Sequence, residues 1–363
     1  MADYTQKLAN MRNRRTSLDS GGIAAMSAAF REATLLTESY EQRGKTGAIK
    51  YALGAMQQLE PKYTEISISE GERVRNQLET GLRNASIPAT FDYQGSVPLN
   101  IHIRFSSDID LLALHDRFVT FDSTSRYAGG YTPKLINPLV EVWKLRQQCE
   151  SILDLKFPTA KVDKSGAKSI SLSGGSLQRK VDVVPSHWHD TAAYQCSQQK
   201  HDREVRILDK DAPALLANRP FLHMKHIEEK DKLTVGGTKK AIRLLKNLKR
   251  DSSRDIGLTS YDIAALIWHC NNTTLTVPSY LELSLIAAIQ NYLQYLADNP
   301  NFAFSLDVPD LSRKIFDSLE KFQALKLLKA EVDQLAIDIF TELKPYSFST
   351  RDLVHKSLME AEV

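Results

Sequence analysis

The sequence feature that most constrains the fold is a short apolar segment that carries acidic residues. Residues 109–114 read IDLLAL, which has the length and composition of a buried β-strand, and Asp108 stands directly before it. Side chains of a strand alternate between its two faces, so Asp108 and Asp110 point to one side while Ile109 points into the core. Two neighbouring carboxylates repel each other, and a divalent cation such as Mg²⁺ removes that penalty. The segment therefore predicts a buried strand whose two aspartates bind a cation on one side.

A second apolar strand carries a single acidic residue. Residues 168–172 and 180–184 flank a pair of glycines and predict a β-hairpin, with Asp182 on the opposite face of its second strand from Val181 and Val183. An unpaired buried carboxylate is costly, so we favour a ligand role for Asp182 over a simple strand-edge charge. If this strand neighbours the one that carries Asp110, three aspartates can hold two metal ions in the arrangement used for phosphoryl or nucleotidyl displacement.

A Gly-Ser pair precedes the acidic strand. Residues 89–94 predict a strand, and Gly95 and Ser96 predict the turn that follows it. Glycine lets the backbone approach an anion closely, and a serine hydroxyl with free N–H groups can bind phosphate oxygens. The turn and the acidic strand together predict a site for a nucleoside triphosphate and its metal. Asp-x-Asp alone is common at surface turns, so the hypothesis depends on the combination.

The remaining segments predict helices around this sheet. Ser69 and Glu72 have the spacing of a capping box and predict a helix start at residue 69. Apolar residues at helical spacing predict a second helix over residues 138–154, and from Pro213 onward the chain is predicted to be mainly helical. The fold class that follows is α+β.

The most amphipathic predicted helix covers residues 238–250, with Thr238 as its N-cap. An apolar stripe lies on one side of this helix. A basic face lies on another side and consists of Lys239, Arg243, Lys246 and Arg250. Composition alone leaves two interpretations of that face open, a solvated surface or a site for phosphate.

Composition excludes several other classes of protein. The 363 residues are 42% hydrophobic and 25% charged, as in ordinary globular proteins. The net charge of +3 is too small to indicate nucleic-acid binding by itself. The amino terminus lacks an apolar signal core and no apolar run is long enough to span a bilayer, so we expect no membrane insertion and a cytoplasmic location. The three cysteines lie far apart in sequence, so no disulfide framework or structural zinc is expected.

Two stretches of the chain resemble a known enzyme family. Gly95-Ser96, eleven further residues, Asp108-Ile-Asp110 and the lone aspartate in VDVVP resemble the signature of the DNA polymerase β-type nucleotidyltransferase superfamily. TKKAIRLLKNLKR followed by GLTSYDIAALIWHC is similar to the helical half of the CD-NTases, bacterial relatives of cyclic GMP-AMP synthase and oligoadenylate synthase. The resemblance covers roughly residues 40–300. One departure is that Asn100 and Ile101 replace a glycine and a small hydroxyl residue that are usual in the family.

The resemblance implies a bilobal architecture. It divides the chain into an N-terminal helical extension (1–38), a nucleotidyltransferase core (39–212) and a helical lobe that completes the nucleotide cleft (213–363). In the family, a basic helix and a Ser-Tyr pair at the start of the next helix help hold the triphosphate. These residues imply nucleotide binding by Arg243, Lys246 and Ser260, in addition to Gly95 and Ser96.

The implied activity is a Mg²⁺-dependent nucleotidyltransferase. It would use two metal ions, with Mn²⁺ as an alternative, held by the catalytic residues Asp108, Asp110 and Asp182. The expected product is a cyclic or linear oligonucleotide second messenger, made from NTPs or dNTPs and used in anti-phage signalling. Expected partners are the nucleotides, a nucleic-acid or protein activator, and an effector that binds the product. Transfer to an RNA or protein acceptor, and an inactive nucleotide or nucleic-acid sensor, are the alternatives.

Overall fold

The computed structural model describes residues 4–16, 39–43, 47–103 and 107–363. Within these ranges the chain combines one mixed β-sheet with many helices, which is the α+β composition predicted above. The strands, in chain order, are β1 Ala89–Gln94, β2 Ile109–Phe121, β3 Lys161–Asp163, β4 Ile170–Ser173, β5 Val181–Asp190, β6 Glu204–Asp209 and β7 Ala214–Asn218.

Helices precede the sheet, cover it and make up nearly all of the chain after it. They are α1 Tyr4–Thr16, α2 Ser39–Arg43, α3 Gly47–Met56, α4 Pro61–Asn84, α5 Pro138–Lys156, α6 Ala192–Ser197, α7 Pro220–Leu233, α8 Gly237–Asp251, α9 Ser260–Trp268, α10 Asn272–Leu275, α11 Ser284–Asp298, α12 Pro300–Ser305, α13 Leu319–Leu343 and α14 Arg351–Glu360. In the ranges that the structure covers, none of these helices combines the length and the apolar composition that crossing a membrane requires.

The centre of the sheet is the parallel pair of β2 and β5. β1 pairs antiparallel with β2, while β4 and then β3 continue the sheet beyond the first half of β5. β6 pairs with the second half of β5 and is followed by β7. The hairpin predicted at 168–184 is confirmed as the antiparallel pair of β4 and β5. In the register of β2 and β5, Asp110 stands opposite Asp182, the adjacency that the three-aspartate hypothesis requires.

The two faces of β2 have different neighbours. Ile109 and Leu111 pack against helices α4 and α5, and Ile109 is only 2% exposed. Leu112 and Leu114 face the other way and pack with apolar side chains of β5, β6 and α7. The alternation predicted for residues 109–114 is therefore confirmed, and Asp110 lies on the face that is turned away from α4 and α5.

The N-terminal helices share their core with the C-terminal helices. Buried residues of α1 and α3 belong to the same apolar cluster as those of α8, α9, α11 and α13. This packing surrounds the helix α8, in which ten residues are buried. The division at residues 38/39 and 212/213 stays a prediction, although α3, which lies in the predicted catalytic core, packs with the helical half.

Two predicted helix starts are wrong. The helix with Ser69 and Glu72 begins at Pro61, because proline fixes φ at a first-turn position and apolar residues at helical spacing continue from there. The same pair of residues, three positions apart, also occurs inside helices. The spacing alone therefore does not distinguish a helix start from a helix interior. Helix α8 has Gly236 as its N-cap, with φ +88°, and the Thr238 hydroxyl instead contacts the hydroxyl of Thr234 at 2.7 Å.

Buried histidines predict a loss of stability in acid. Burial lowers the pKa of His102, His187 and His223 to about 4, against about 6.5 in the unfolded chain. Between these values the unfolded chain binds protons that the folded chain excludes, so stability falls as the pH drops from 6.5 toward 4, by about 2 kcal/mol per histidine at pH 5. We expect the Tm to be markedly lower at pH 5 than at pH 7.

The variant His187→Phe tests the cause of this pH dependence. His187 is 1% exposed and its Nε2 atom has no hydrogen-bond partner in the described structure, while its Nδ1 atom donates to the Trp188 carbonyl at 2.8 Å. Phenylalanine removes the titration together with this one hydrogen bond, so the test compares the pH dependence of the Tm and not its absolute value. The difference in Tm between pH 7 and pH 5, measured by circular dichroism, should shrink in this variant. An unchanged difference would show that His187 does not contribute.

Candidate active site

A cavity of about 340 Å³ lies between the sheet and the helical half of the chain. On the sheet side its wall contains Gly95, Ser96, Asp108 and Asp110. The opposite wall comes from β7, α7 and α9 and contains Asn218, Pro220, His223, Met224, Ser260, Tyr261 and Ala264. The structure therefore brings five of the predicted site residues together around one space, from segments as distant in sequence as β1 and α9.

The turn after β1 has the conformation that its sequence predicts. Gly95 has φ +83°, and a Cβ atom at this position would collide with Oδ2 of Asp110. Two hydrogen bonds close the loop after the turn, from the Asn100 amide to the Val97 carbonyl at 3.0 Å and from the Ile101 amide to the Ser96 carbonyl at 3.1 Å. Glycine at this turn allows the acidic strand and the Gly-Ser pair to lie in direct contact.

The departure at Asn100 has a conformational explanation. Asn100 has φ +54°, in the left-handed region that glycine adopts most readily and that asparagine tolerates better than other side chains. Ile101 is 3% exposed and joins the apolar core of the helical half. The loop thus keeps the backbone shape that a glycine would allow, and Ile101 anchors it to the helices.

The surroundings of Asp110 change its pKa. Burial, followed by the nearby charges of Asp182 and Asp108, raises the pKa of Asp110 to about 7. In the described part of the chain Asp110 makes no ion pair, whereas Asp108 and Asp182 both contact the ammonium of Lys180. The Ser171 hydroxyl also donates to Oδ1 of Asp182. The acidic face therefore carries more negative charge than its neighbours neutralise.

The three carboxylates fit a divalent cation in chemistry. They lie on one side of two adjacent strands, and hard cations prefer carboxylate oxygens. The high pKa of Asp110 shows that an additional positive charge would be favourable here. Among the described residues, however, no three His, Cys, Asp or Glu side chains already converge on one point as metal ligands do. Asp108 and Asp182 contact the ammonium of Lys180 in this structure.

Two predicted nucleotide ligands lie beneath the loop instead of in the cavity wall. Arg243 donates to the carbonyls of Met56 at 2.7 Å and Asn100 at 2.8 Å, and Lys246 donates to the Ile101 carbonyl at 2.7 Å. Both side chains are buried, and burial lowers the pKa of Lys246 to about 7. The interpretation of these two residues as a solvated helix face is wrong. Their contact with phosphate stays a prediction.

Helix α9 supplies the far wall of the cavity. Its N-cap is Thr259, which forms a capping box with Asp262, and this cap fixes the first turn that presents Ser260. The ring of Tyr261 stacks on that of His223 with centroids 4.0 Å apart and planes inclined by 22°. Ser260 is one of the predicted site residues, whereas His223 was not predicted, because no pattern in the sequence links α7 to α9.

A second cavity of about 420 Å³ adjoins the first and is mainly basic. It shares Ser260 with the first cavity, and its charged lining residues are the cations Lys246, Lys249, Arg250 and Arg254 and one acidic residue, Asp255. Of these cations, Arg250 belongs to the basic face predicted from the sequence, whereas Lys249 and Arg254 were not predicted. Lys180 was also missed, although it stands two residues before Asp182 and strand alternation places both side chains on one face.

The arrangement of the turn, the acidic strands and the helical half is characteristic of one class of protein. A Gly-Ser turn that contacts an acidic β-strand, with a third aspartate on the parallel neighbour and a helical half across the cleft, is typical of nucleotidyltransferases. The family model described as the cGAS/DncV-like nucleotidyltransferase C-terminal helical domain matches residues 225–331.

Proteins that are similar in sequence to this chain belong to the same class. A cyclic dinucleotide synthase CdnE of Yersinia aleksiciae is 41% identical over 323 residues, which cover 87% of this chain and 84% of that protein. A c-di-GMP synthase of Capnocytophaga granulosa is 31% identical over 309 residues, covering 78% and 85%. The solved structure of the STING-associated CdnE c-di-GMP synthase from Capnocytophaga granulosa superposes with a TM-score of 0.74, at 26% identity, over 94% of this chain and 99% of that one.

The chain belongs to the CD-NTase family. The predicted family, the α+β fold with its helical C-terminal lobe and the nucleotidyltransferase activity are confirmed. The predicted class of function, synthesis of an oligonucleotide second messenger, is confirmed with them.

Proposed function

We propose that this enzyme joins two molecules of GTP into c-di-GMP at the cavity between the sheet and the helical half. The observation that carries the proposal is the convergence of Gly95, Ser96, Asp108, Asp110 and Ser260 on one cavity, with Asp182 opposite Asp110. The choice of guanine is supported by two relatives, each 31% identical to the chain, that are c-di-GMP synthases.

The Gly-Ser turn is proposed to hold the phosphates of one nucleotide. Gly95 exposes its backbone without a side chain, and Ser96 adds a hydroxyl at the cavity wall. Ser260 faces them from α9, so phosphate oxygens can receive hydrogen bonds from both walls. Arg243 and Lys246 act on this nucleotide by holding the loop that carries the turn, and their positive charges add a favourable field for the phosphates.

Members of this family use divalent metal ions. Asp108, Asp110 and Asp182 are the residues that would hold them here, and Mg²⁺ and Mn²⁺ are the ions whose ligand preferences match carboxylates and phosphates. When bound, such ions neutralise the phosphates and lower the pKa of the attacking ribose hydroxyl. The cavity holds that hydroxyl near the α-phosphorus of the other nucleotide, so that a new P–O bond forms and pyrophosphate leaves. A second round between the same nucleotides closes the ring.

The second, basic cavity is proposed to hold the outer phosphates before transfer and the pyrophosphate after it. Lys249, Arg250 and Arg254 line it, and it adjoins the nucleotide cavity at Ser260. These three cations outnumber the one acidic lining residue, Asp255, so the cavity attracts a polyanion.

The product is proposed to act through a separate effector. The relative from Capnocytophaga granulosa is described as STING-associated, which supports an effector that binds a cyclic dinucleotide. A role in anti-phage signalling and control by a nucleic-acid or protein activator stay predictions for this chain.

Identification of the product tests the proposed function. The purified protein is incubated with Mg²⁺ or Mn²⁺ and with each NTP, alone and as a mixture, and small products are identified by mass and by resistance to phosphatase. We expect c-di-GMP from GTP alone and as the main product of the mixture. A cyclic product with other bases would contradict the choice of guanine. Radiolabel that appears on RNA or protein, with no small product, would contradict the synthase function itself.

A further inference from the structure

Lys180 bridges two of the three aspartates. Its Nζ lies 2.7 Å from Oδ2 of Asp108 and 3.2 Å from Oδ2 of Asp182. The Lys180 carbonyl accepts a hydrogen bond from the Ile109 amide at 3.2 Å, which fixes this backbone as a continuation of the pairing between β2 and β5. The ammonium therefore lies on the acidic face because of the strand register, and its side chain, 40% exposed, stays in contact with solvent.

The ammonium occupies one oxygen of each carboxylate, Oδ2 of Asp108 and Oδ2 of Asp182, where a second cation would also bind. An ammonium and a divalent ion cannot share one carboxylate oxygen at contact distance without strong repulsion between the two positive charges. Asp110 has no such contact in the described structure, so it remains available while Asp108 and Asp182 are occupied. A divalent ion that binds all three aspartates therefore competes with the ammonium for Asp108 and Asp182.

We propose that Lys180 is a tethered counter-cation, which occupies the carboxylates of Asp108 and Asp182 when no metal is bound and leaves them when the metal arrives with the nucleotide. The proposal rests on the metal site of the proposed function. Binding of the metal should therefore depend on the nucleotide. When the metal arrives alone, the displaced ammonium loses its two carboxylate partners and gains none. When a triphosphate is present, its phosphate oxygens offer new partners to the flexible lysine side chain, so this cost is recovered.

Lys180 therefore lowers the affinity for a divalent ion in the absence of nucleotide. Two partly exposed ion pairs of this kind change an equilibrium constant by about tenfold in total. The variant Lys180→Met keeps the length and the apolar stem of the side chain but removes its charge. We expect this variant to bind Mn²⁺ alone about tenfold more tightly than the wild-type protein, with the gain largely lost when a non-hydrolysable GTP analogue is present.

Binding of Mn²⁺ to the full chain is measured from the electron paramagnetic resonance signal of free Mn²⁺. Lys180→Arg keeps the charge and should bind Mn²⁺ alone as the wild-type protein does. Lys161→Met removes the same charge from an exposed position on β3, so it controls for the change in overall charge and should have no effect. Equal or weaker binding of Mn²⁺ by Lys180→Met would overturn the proposal, as would a gain of the same size in Lys161→Met.

A further variant separates this proposal from the metal site on which it rests. In the double variant Lys180→Met, Asp110→Asn, the tighter binding should disappear, because the displaced lysine and the aspartate act on the same ion. If Asp110→Asn leaves Mn²⁺ binding unchanged in both backgrounds, the metal site of the proposed function is wrong. If Asp110→Asn abolishes binding but Lys180→Met leaves it unchanged, the metal site stands and the role of Lys180 is overturned.

Discussion

Replacement of Asp110 by asparagine should reduce product formation at least about a thousandfold without unfolding the protein. Asparagine has the shape of aspartate but lacks the negative charge that attracts a divalent ion, and Asp110 is the carboxylate that faces the cavity without an ion pair in the described structure. The measurement is the rate of c-di-GMP formation at saturating GTP and metal. Retention of more than about a tenth of the wild-type rate would contradict the assignment of Asp110 to the site.

The Asp110→Asn variant should also be at least as stable as the wild-type protein at high pH. Burial and the charges of Asp182 and Asp108 raise the pKa of Asp110 to about 7, so the ionised carboxylate destabilises the folded chain above that pH. The folded state binds this proton more tightly than the unfolded state does, and the loss of stability grows as the pH rises from about 4 through 7. At pH 8, without metal, Asp110→Asn should therefore have a Tm at least as high as the wild-type protein.

A matched substitution on the same strand controls for the loss of charge. Asp116 is exposed and lies on β2 away from the nucleotide cavity, beside a different surface cavity. Asp116→Asn removes the same charge from the same strand and should keep nearly full activity. A large loss in Asp116→Asn would show that activity depends on the net charge of the sheet, and the assignment would then lose its support.

Gly95→Ala should reduce activity about a hundredfold. A methyl group at this position collides with Oδ2 of Asp110, and the carboxylate has to move away from the place where it faces the cavity. The backbone also has φ +83°, where an alanine costs about 1–2 kcal/mol in stability. Both the rate of product formation and the Tm should therefore fall.

Gly174 provides the matched control for that substitution. It has φ +70° in the turn between β4 and β5, and a Cβ atom there would meet nothing within 4 Å. Gly174→Ala should lose stability comparable to that lost by Gly95→Ala while keeping its activity. Equal losses of activity in the two variants would mean that backbone strain, and not displacement of Asp110, accounts for the effect.

Local patterns were sufficient for much of the fold. The strand Ala89–Gln94 and the hairpin of β4 and β5 were predicted because alternation, turn glycines and apolar runs are properties of neighbouring residues. The prediction failed at the start of α4, where a capping-box spacing occurs inside a helix that begins at Pro61. A pattern of two residues does not distinguish a helix end from a helix interior, and the tertiary packing that selects between them is absent from the local sequence.

The acidic face could also be predicted from patterns among neighbouring residues. Asp108, Asp110 and Asp182 are marked by strand periodicity, and the pairing of two short apolar strands was the one tertiary assumption needed. The roles of Arg243 and Lys246 could not be predicted in this way. Each is one residue of a basic helix face, and whether such a residue meets solvent, phosphate or backbone depends on which loop packs against that helix.

The sequence by itself determined the chemistry of this protein: three aspartates on strand faces, a Gly-Ser turn ahead of them, and a helical half with a basic helix. These properties are set by residue type and by spacing along a few residues of chain. Tertiary structure alone decided that Ser260 faces the Gly-Ser turn, that two buried cations support the loop at Asn100 and Ile101, and that Lys180 contacts Asp108. The physical reason is that each of these contacts joins segments distant in sequence, and their energy comes from the packing and charge of the whole fold.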